Sequence, residues 1–314
     1  MAAAPILLAR VAACASAIYP RARYLVTDFD GTCTTADTTP VVPHLAARAS
    51  QNPSAVLERF NELEGLYLRM VEQCTSEVRA QDTVGPAAFD AAGLEAALAS
   101  LDAVSDSVTD QLSESGILAG IDEGGVASAL AEWAAEPDPP IRPPALRDGC
   151  ASTLATAAGE GWRLGVLTLN WCPPLVHAFL PVLAAAEARV WSNRIDASTG
   201  VVSNEVRGAA AKRAIIAALV SEAREAEPHG QVVYVGDSAT DLLAMLEADL
   251  GILIGESQST RRLARQFGLS IEPLPTTRDA AAADGVLPAT PPATVWEAAS
   301  WDDVRRCLEL PAAS

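Results

Sequence analysis

Four short stretches of this sequence set carboxylates, a hydroxyl and an ammonium where they could act on one another. Asp28-Phe29-Asp30-Gly31-Thr32 follows the apolar run 24–27. Two carboxylates at i and i+2 of a strand share a face. Glycine at 31 lets the chain turn, so that Asp28 projects from the strand tip while Asp30 curls back to the same point. Such a pair suits nucleophilic attack by one carboxylate and proton transfer by the other, although Asp-Gly is also an ordinary turn pair. Gly236-Asp237-Ser238-Ala239-Thr240-Asp241 follows a second apolar run, 232–235. Its two carboxylates, four apart at a helix start, can hold a hard cation through oxygen, or Asp237 or Ser238 can simply cap the helix. Adding Asp28 gives an incompletely filled oxygen set, as Mg²⁺ accepts when it keeps waters and a phosphate oxygen.

The remaining two positions are single residues. Thr168 ends the apolar stretch 163–168, where its hydroxyl can donate to a phosphate oxygen, though threonines often end strands. Lys212 is the only lysine in the chain, against 21 arginines, and opens a helical pattern over 210–219. A solvated helix residue is the plain reading of any lysine. In a chain that uses arginine everywhere else, a compact ammonium points instead to a place where a planar guanidinium does not fit, between a phosphoryl group and a carboxylate.

These positions need a framework to bring them together. Short apolar runs at 24–27, 164–168, 232–235 and 251–254 end in polar loops, and helical patterns follow, which is the rhythm of an open, mostly parallel α/β sheet. In such sheets ligands bind beyond the carboxyl ends of the strands. Those ends carry Asp28 to Thr32, Leu169-Asn170, Gly236 to Ser238 and Gly255-Glu256. Between the first two runs lies a long insertion without strand-like segments. Apolar residues recur at helical spacing at Val56, Phe60, Leu63, Tyr67, Met70, Cys74 and Val78, then from Leu94 to Leu112 and from Val126 to Trp133. They predict the inner faces of a helical bundle, closed by the prolines 137–144. After 254 a helix over 257–267, a Pro-rich stretch to Pro292 and a closing helix near 300–310 are expected.

Composition narrows the partners. The chain of 314 residues holds 22 basic and 40 acidic residues, net −18, and residues 45–145 contribute −12 of that. The acidity disfavours nucleic acid, and no apolar run reaches the ~20 residues of a membrane span. In the insertion, Glu58, Glu62, Glu64 and Glu72 read either as solvated helix faces or as carboxylates that face the site and favour a cationic substrate. The six cysteines and three histidines show no metal-ligand spacing. Residues 1–27 hold no acid and carry Arg10, Arg21 and Arg23, as a transit peptide or a first helix covering a sheet edge would.

Taken in order, Asp28 to Thr32, Thr168, Lys212 and Gly236 to Asp241 resemble the motifs of the haloacid dehalogenase (HAD) superfamily of phosphotransferases. The resemblance implies a Rossmann-like α/β HAD core from residues 1–32 and 148–314, and a helical C1 cap from residues 33–147. Trp191 to Val202 looks like a hairpin of the phosphoserine-phosphatase side of that superfamily. A narrower similarity, through Cys33-Thr34, Tyr67, Glu72-Gln73-Cys74, Trp171-Cys172, Leu246 to Ile252, Arg261-Arg262, Gln266-Phe267-Gly268, Trp296 and Trp301, is to the phosphatase half of plant bifunctional thiamin monophosphate phosphatases. Those enzymes carry an upstream aminopyrimidine-salvage domain. This sequence enters almost at the phosphatase motif, so that second activity is not carried over.

By this resemblance Asp28 is the nucleophile and Asp30 the acid and base, while Thr168 and Lys212 hold the phosphoryl group. Mg²⁺ is held by Asp28, the Asp30 carbonyl and Asp237, with Asp241 in support. The implied partner is a small phosphorylated molecule, thiamin monophosphate first, whose ring is cationic. Alternatives are an aminopyrimidine phosphate, phosphoserine or a phosphorylated amine, or a catalytically silent binding module. The expected compartment is cytoplasmic, or mitochondrion or plastid if residues 1–20 act as a transit peptide.

Overall fold

The computed structural model describes residues 22–80, 88–275 and 292–311. The expectations for residues 1–20 and most of the Pro-rich stretch lie outside them. The first strand, β1 (Arg23–Thr27), leads into helices α1 (Val41–Ala49), α2 (Pro53–Ala80), α3 (Ala91–Ser115) and α4 (Val126–Ala135). Next come α5 (Cys150–Gly159), β2 (Arg163–Leu167), α6 (Pro173–Phe179), α7 (Val182–Ala185) and β3 (Arg189–Trp191). The lysine helix α8 (Ala209–Ala226) is followed by β4 (Gln231–Gly236), α9 (Leu242–Glu247), β5 (Leu250–Ile254) and α10 (Gln258–Gln266). The chain closes with β6 (Ser270–Pro273), β7 (Thr294–Ala298) and α11 (Trp301–Cys307).

The seven strands among the described residues form one sheet in the order β3-β2-β1-β4-β5-β7-β6, and every pairing is parallel. Both faces are covered, as a parallel sheet requires, and alternate residues serve opposite faces. Leu25, Val233, Val235 and Ile252 pack with Leu154, Leu180 and Trp301. Tyr24, Val26, Tyr234 and Leu253 pack with Ile216, Leu219 and Leu242 on the other side. β1 lies between β2 and β4, so the connections run outward from β1 through β2 to β3 on one side and then cross to β4 on the other. That is the switch point where such sheets open a crevice.

Three strands escaped the sequence pattern. β3 is three residues long and partly exposed, β6 is a half-exposed strand at the sheet edge, and β7 lies beyond the Pro-rich stretch. Short edge strands leave too little alternation to read. The hairpin expected from Trp191 to Val202 reduces to β3 and a single antiparallel bridge between Ile195 and Val202. The helices of the insertion pack through Val41, Leu45, Leu112 and Trp133 onto Cys172, Leu175 and Ile195 of the sheet side.

The expected stripe of α2 is an inner face only in part. Val56, Phe60 and Leu63 are buried, but Tyr67 is 36% exposed and its neighbour Leu68 60% exposed. No helix among the described residues is long and apolar enough to cross a membrane.

Candidate active site

Asp28 is the first residue beyond β1, at the centre of the sheet. Its N–H donates to the Val235 carbonyl at 2.8 Å, continuing the ladder to β4 by one residue. The loop then turns sharply. Gly31 has φ +73°, and a Cβ there would overlap the Asp237 carboxylate, so glycine both turns the chain and admits the second motif. Thr32 Oγ1 donates to Asp237 Oδ1 at 2.9 Å. Trp301 Nε1, from the buried first residue of α11, donates to the Thr32 carbonyl at 3.0 Å. Arg147 Nε donates to the Gly31 carbonyl at 2.8 Å. The loop is therefore tied to three distant parts of the chain.

Lys212 is 1% exposed. Its Nζ lies 2.7 Å from Asp241 Oδ1 and 3.1 Å from Asp28 Oδ1. Burial opposes its charge, but Asp241 and Asp28 outweigh that and hold the ammonium above the ordinary lysine range. Asp241 has both oxygens occupied. Tyr234 Oη donates to Oδ1 at 2.6 Å, while Ser238 N and Oγ donate to Oδ2 at 3.0 and 2.8 Å. Burial would raise Asp241, yet Lys212 and these donors hold its carboxyl below the usual range. Helix α8, which carries Lys212, is itself fixed from the insertion: Ala209 N donates to Asp102 Oδ2 of α3 at 3.1 Å.

Asp28 differs from Asp241. Its Oδ1 is buried and has no hydrogen-bond partner, and its contact is the ion pair with Lys212 at 3.1 Å. Burial pushes Asp28 well above the carboxylate range, and the charges of Asp241, Asp237 and Asp30 add to this against the pull of Lys212. Burial and Asp241 push Asp237 up to about 7. Asp28, Asp237 and Asp241 each offer an oxygen within 4.8 Å of the others. A hard-oxygen set with a carboxylate oxygen lacking a hydrogen-bond partner, and carboxyls raised by burial and by one another's charge, fits a divalent cation such as Mg²⁺.

Asp30 turns to the opening of the insertion. Thr38 N and Oγ1 donate to its Oδ1 at 2.7 and 2.6 Å. Asn170 Nδ2 donates to its Oδ2 at 2.9 Å and also reaches Thr38 Oγ1 at 3.0 Å. Burial, then the charge of Asp37, raise Asp30 to about 6, while the Asn170 and Thr38 hydrogen bonds pull it down. Thr168, one residue past β2, is 1% exposed, and its Oγ1 accepts from Asn170 N at 3.2 Å. The structure thus brings Asp28, Thr168, Lys212 and Asp237 to one rim, with Asp241 behind Lys212 and Asp30 beside them. The sequence named Asn170 only as a strand-end amide and missed Thr38, Arg147 and Tyr234. Tyr234 alternates within a buried strand, and nothing in its spacing marks it.

A cavity of about 710 Å³ opens from this rim to the insertion, lined by Asp28, Thr168 and Lys212 on one side and by α2 and α3 on the other. Of the four glutamates weighed in the sequence, only Glu64 lines it; Glu62 is paired with Arg59.

No family model matches the chain. It is 26% identical over 273 residues to the bifunctional TH2 protein, mitochondrial, of Arabidopsis thaliana, covering 80% of this chain but only 42% of that protein. Among solved structures, cytosolic 5'-nucleotidase IIIB bound to cytidine superposes with a TM-score of 0.52 at 14% identity, over 96% of this chain and 89% of that one. A phospho-aspartyl intermediate analogue of phosphoserine phosphatase gives 0.43 at 17% identity, over 78% and 91%. The likeness to the nucleotidase is one of fold, and with the TH2 relative it bears out the resemblance to HAD phosphatases.

Proposed function

We propose that this chain is a Mg²⁺-dependent phosphomonoesterase that works through an aspartyl phosphate, with thiamin monophosphate as its substrate. The observation that carries the reading is Asp28 Oδ1, buried and without a hydrogen-bond partner, at the mouth of the cavity and 3.1 Å from the Lys212 ammonium. In the first step Asp28 Oδ1 forms a bond to phosphorus as the bond to the leaving oxygen breaks, and Asp30 gives that oxygen its proton. In the second, a water attacks phosphorus, passes a proton to Asp30, and releases phosphate and Asp28. A carboxyl near 6 is suited to both roles around neutral pH.

Lys212 and Thr168 hold the phosphoryl oxygens. Asp28, the Asp30 carbonyl and Asp237 would hold Mg²⁺, with Asp241 in support through Lys212 and Ser238. Bound there, the ion supplies charge neutralisation at the phosphoryl group. The helices of residues 33–147 serve as a cap over the core of residues 1–32 and 148–314, and their closure excludes water.

Thiamin monophosphate is favoured by the motif resemblance and by the cavity. At about 710 Å³ the cavity has room for a molecule of that size. The compartment is proposed as cytoplasmic, with mitochondrion or plastid the alternative if residues 1–20 direct import. A fluorescent fusion of those residues decides between them. The test of function is phosphate release from thiamin monophosphate, an aminopyrimidine phosphate, phosphoserine and a phosphorylated amine, with Mg²⁺ and with EDTA. Preference for thiamin monophosphate, abolished by EDTA, is expected. Equal rates on all esters overturn the substrate; no release from any overturns the enzyme and leaves a binding module.

A further inference from the structure

At its sheet end the cavity is lined by Lys212 and Arg147, cations that can meet a phosphate, set among the carboxylates of Asp28, Asp30 and Asp237. Its helical end presents two facing walls. On α2, Phe60, Leu63, Glu64, Tyr67 and Leu68 line the cavity at i, i+3, i+4, i+7 and i+8, one stripe of the helix. Glu64 is the only charged member of that stripe. It sits between two aromatic side chains, one turn before and one turn after it. The neighbouring acids Glu58 and Glu62 lie off the stripe, with Glu62 paired to Arg59.

On α3, Asp106 also lines the cavity, and its Oδ1 accepts from Asn204 Nδ2 at 3.0 Å, which fixes the carboxylate in place. Arg207 lines the same region, with its Nε donating to the Asn204 carbonyl at 3.1 Å. The sheet end of this same cavity holds the buried Asp28 oxygen, which has no hydrogen-bond partner, so both ends face one ligand volume.

Carboxylates next to aromatic faces recognise organic cations: the rings offer negative faces and apolar area, and the carboxylate supplies the counter-charge. We infer that Glu64 and Asp106 read a positive charge on a flat aromatic leaving group, with Phe60 and Tyr67 as the ring faces beside it. The substrate class is therefore a dipolar phosphomonoester, anionic where Lys212 holds it and cationic where Glu64 and Asp106 meet it. A neutral aryl ester of the same size gains nothing from the two carboxylates. This rests on the phosphatase reading for the bond that is broken, but the recognition can be measured without turnover.

The experiment uses the full chain with Mg²⁺ and two readouts. Calorimetry with thiamin, the cationic alcohol, measures recognition alone. The ratio of kcat/KM for thiamin monophosphate to that for 4-nitrophenyl phosphate measures selectivity. Glu64→Gln and Asp106→Asn are each expected to weaken thiamin binding about tenfold and to lower the ratio by a similar factor, equivalent to about 1.4 kcal/mol. Both positions face solvent-accessible space, and unchanged thermal melts confirm that the variants fold. Thiamin binding equal to wild type in both variants, or no binding to the wild type, overturns the inference. Thiamin binding that needs both carboxylates, in a protein that releases phosphate from no ester, upholds it and refutes the phosphatase reading instead.

Discussion

On the sheet side of the cavity, Asp28, Thr168, Asn170 and Lys212 are all 5% exposed or less, and each is tied to neighbours on other strands and loops. On the helical side, Glu64, Tyr67 and Leu68 stand exposed along one stripe of α2. The sheet side fixes atoms whose positions decide whether a bond can form. The helical side fixes a shape and a charge, which tolerate more movement. Substitutions on the two sides should therefore differ in kind: loss of turnover or fold on one, altered affinity on the other.

The largest effect is expected at Asp28. Asp28→Asn keeps the size of the side chain but removes the nucleophile, and turnover should fall by at least roughly 10³-fold while the melting curve stays within a few degrees of wild type. Phosphate release and a thermal melt measure the two. A variant that keeps more than a tenth of wild-type turnover would refute covalent catalysis by this residue.

Lys212 comes next because it joins chemistry to stability. Lys212→Met leaves Asp28 and Asp241 buried without their cation, a loss expected to destabilise by about 3–5 kcal/mol in a denaturant titration. Lys212→Arg keeps the charge but asks a planar fork to fit where an ammonium sits 2.7 Å from one carboxylate and 3.1 Å from another. Nearly complete loss of turnover is expected there too. Wild-type rates in Lys212→Arg would show that the lone lysine is incidental.

Metal and pH should be coupled on the same side. Asp237 stands at about 7 in the folded protein against an ordinary 3.8, so the folded state without metal holds the proton more tightly than the unfolded chain. The stability this contributes is complete below pH 3.8 and is lost as pH rises through about 7. Without divalent cations the melting temperature should thus fall between pH 5 and 8. Mg²⁺ must displace that proton, so its stabilisation should grow over the same range. A metal-induced shift independent of pH would remove Asp237 from the metal site.

The contrast also explains what could be read from the sequence. Asp28, Asp30, Asp237 and Asp241 stand in short local patterns at strand ends, and Lys212 is conspicuous because nothing else in the chain is a lysine. The residues that orient Asp30 have no such signature: Thr38 lies 8 positions away and Asn170 lies 140 away, brought together only by the sheet order. The strands missed were the edge strands, where pattern is shortest. Glu64 could be named among four candidate glutamates, but its selection depends on which face of a long helix turns inward, and that is fixed by tertiary packing.

Asn170 offers an intermediate test. Its amide holds the Asp30 carboxylate and favours the charged form, so Asn170→Ala should move Asp30 above about 6 and shift upward the limb of the pH profile that reports its titration. The expected fall in kcat is about tenfold, smaller than at Asp28, because Thr38 still holds the other oxygen. An unshifted profile with lowered kcat would mean that Asn170 serves only the packing of the loop.

The smallest effect is expected at the rim of the helical wall. Leu68 is 60% exposed yet lines the cavity, so Leu68→Ala removes little buried area and should change stability by less than about 0.5 kcal/mol. What it removes is apolar surface beside the leaving group. A partly covered leucine gives up a fraction of the ~1.5–3 kcal/mol of full burial, consistent with a KM raised about two- to threefold and a kcat within twofold. The split between the two constants is what matters. If kcat fell as far as at Asn170, α2 would be holding reacting atoms in place rather than shaping a pocket, and the division of labour between the two walls would fail.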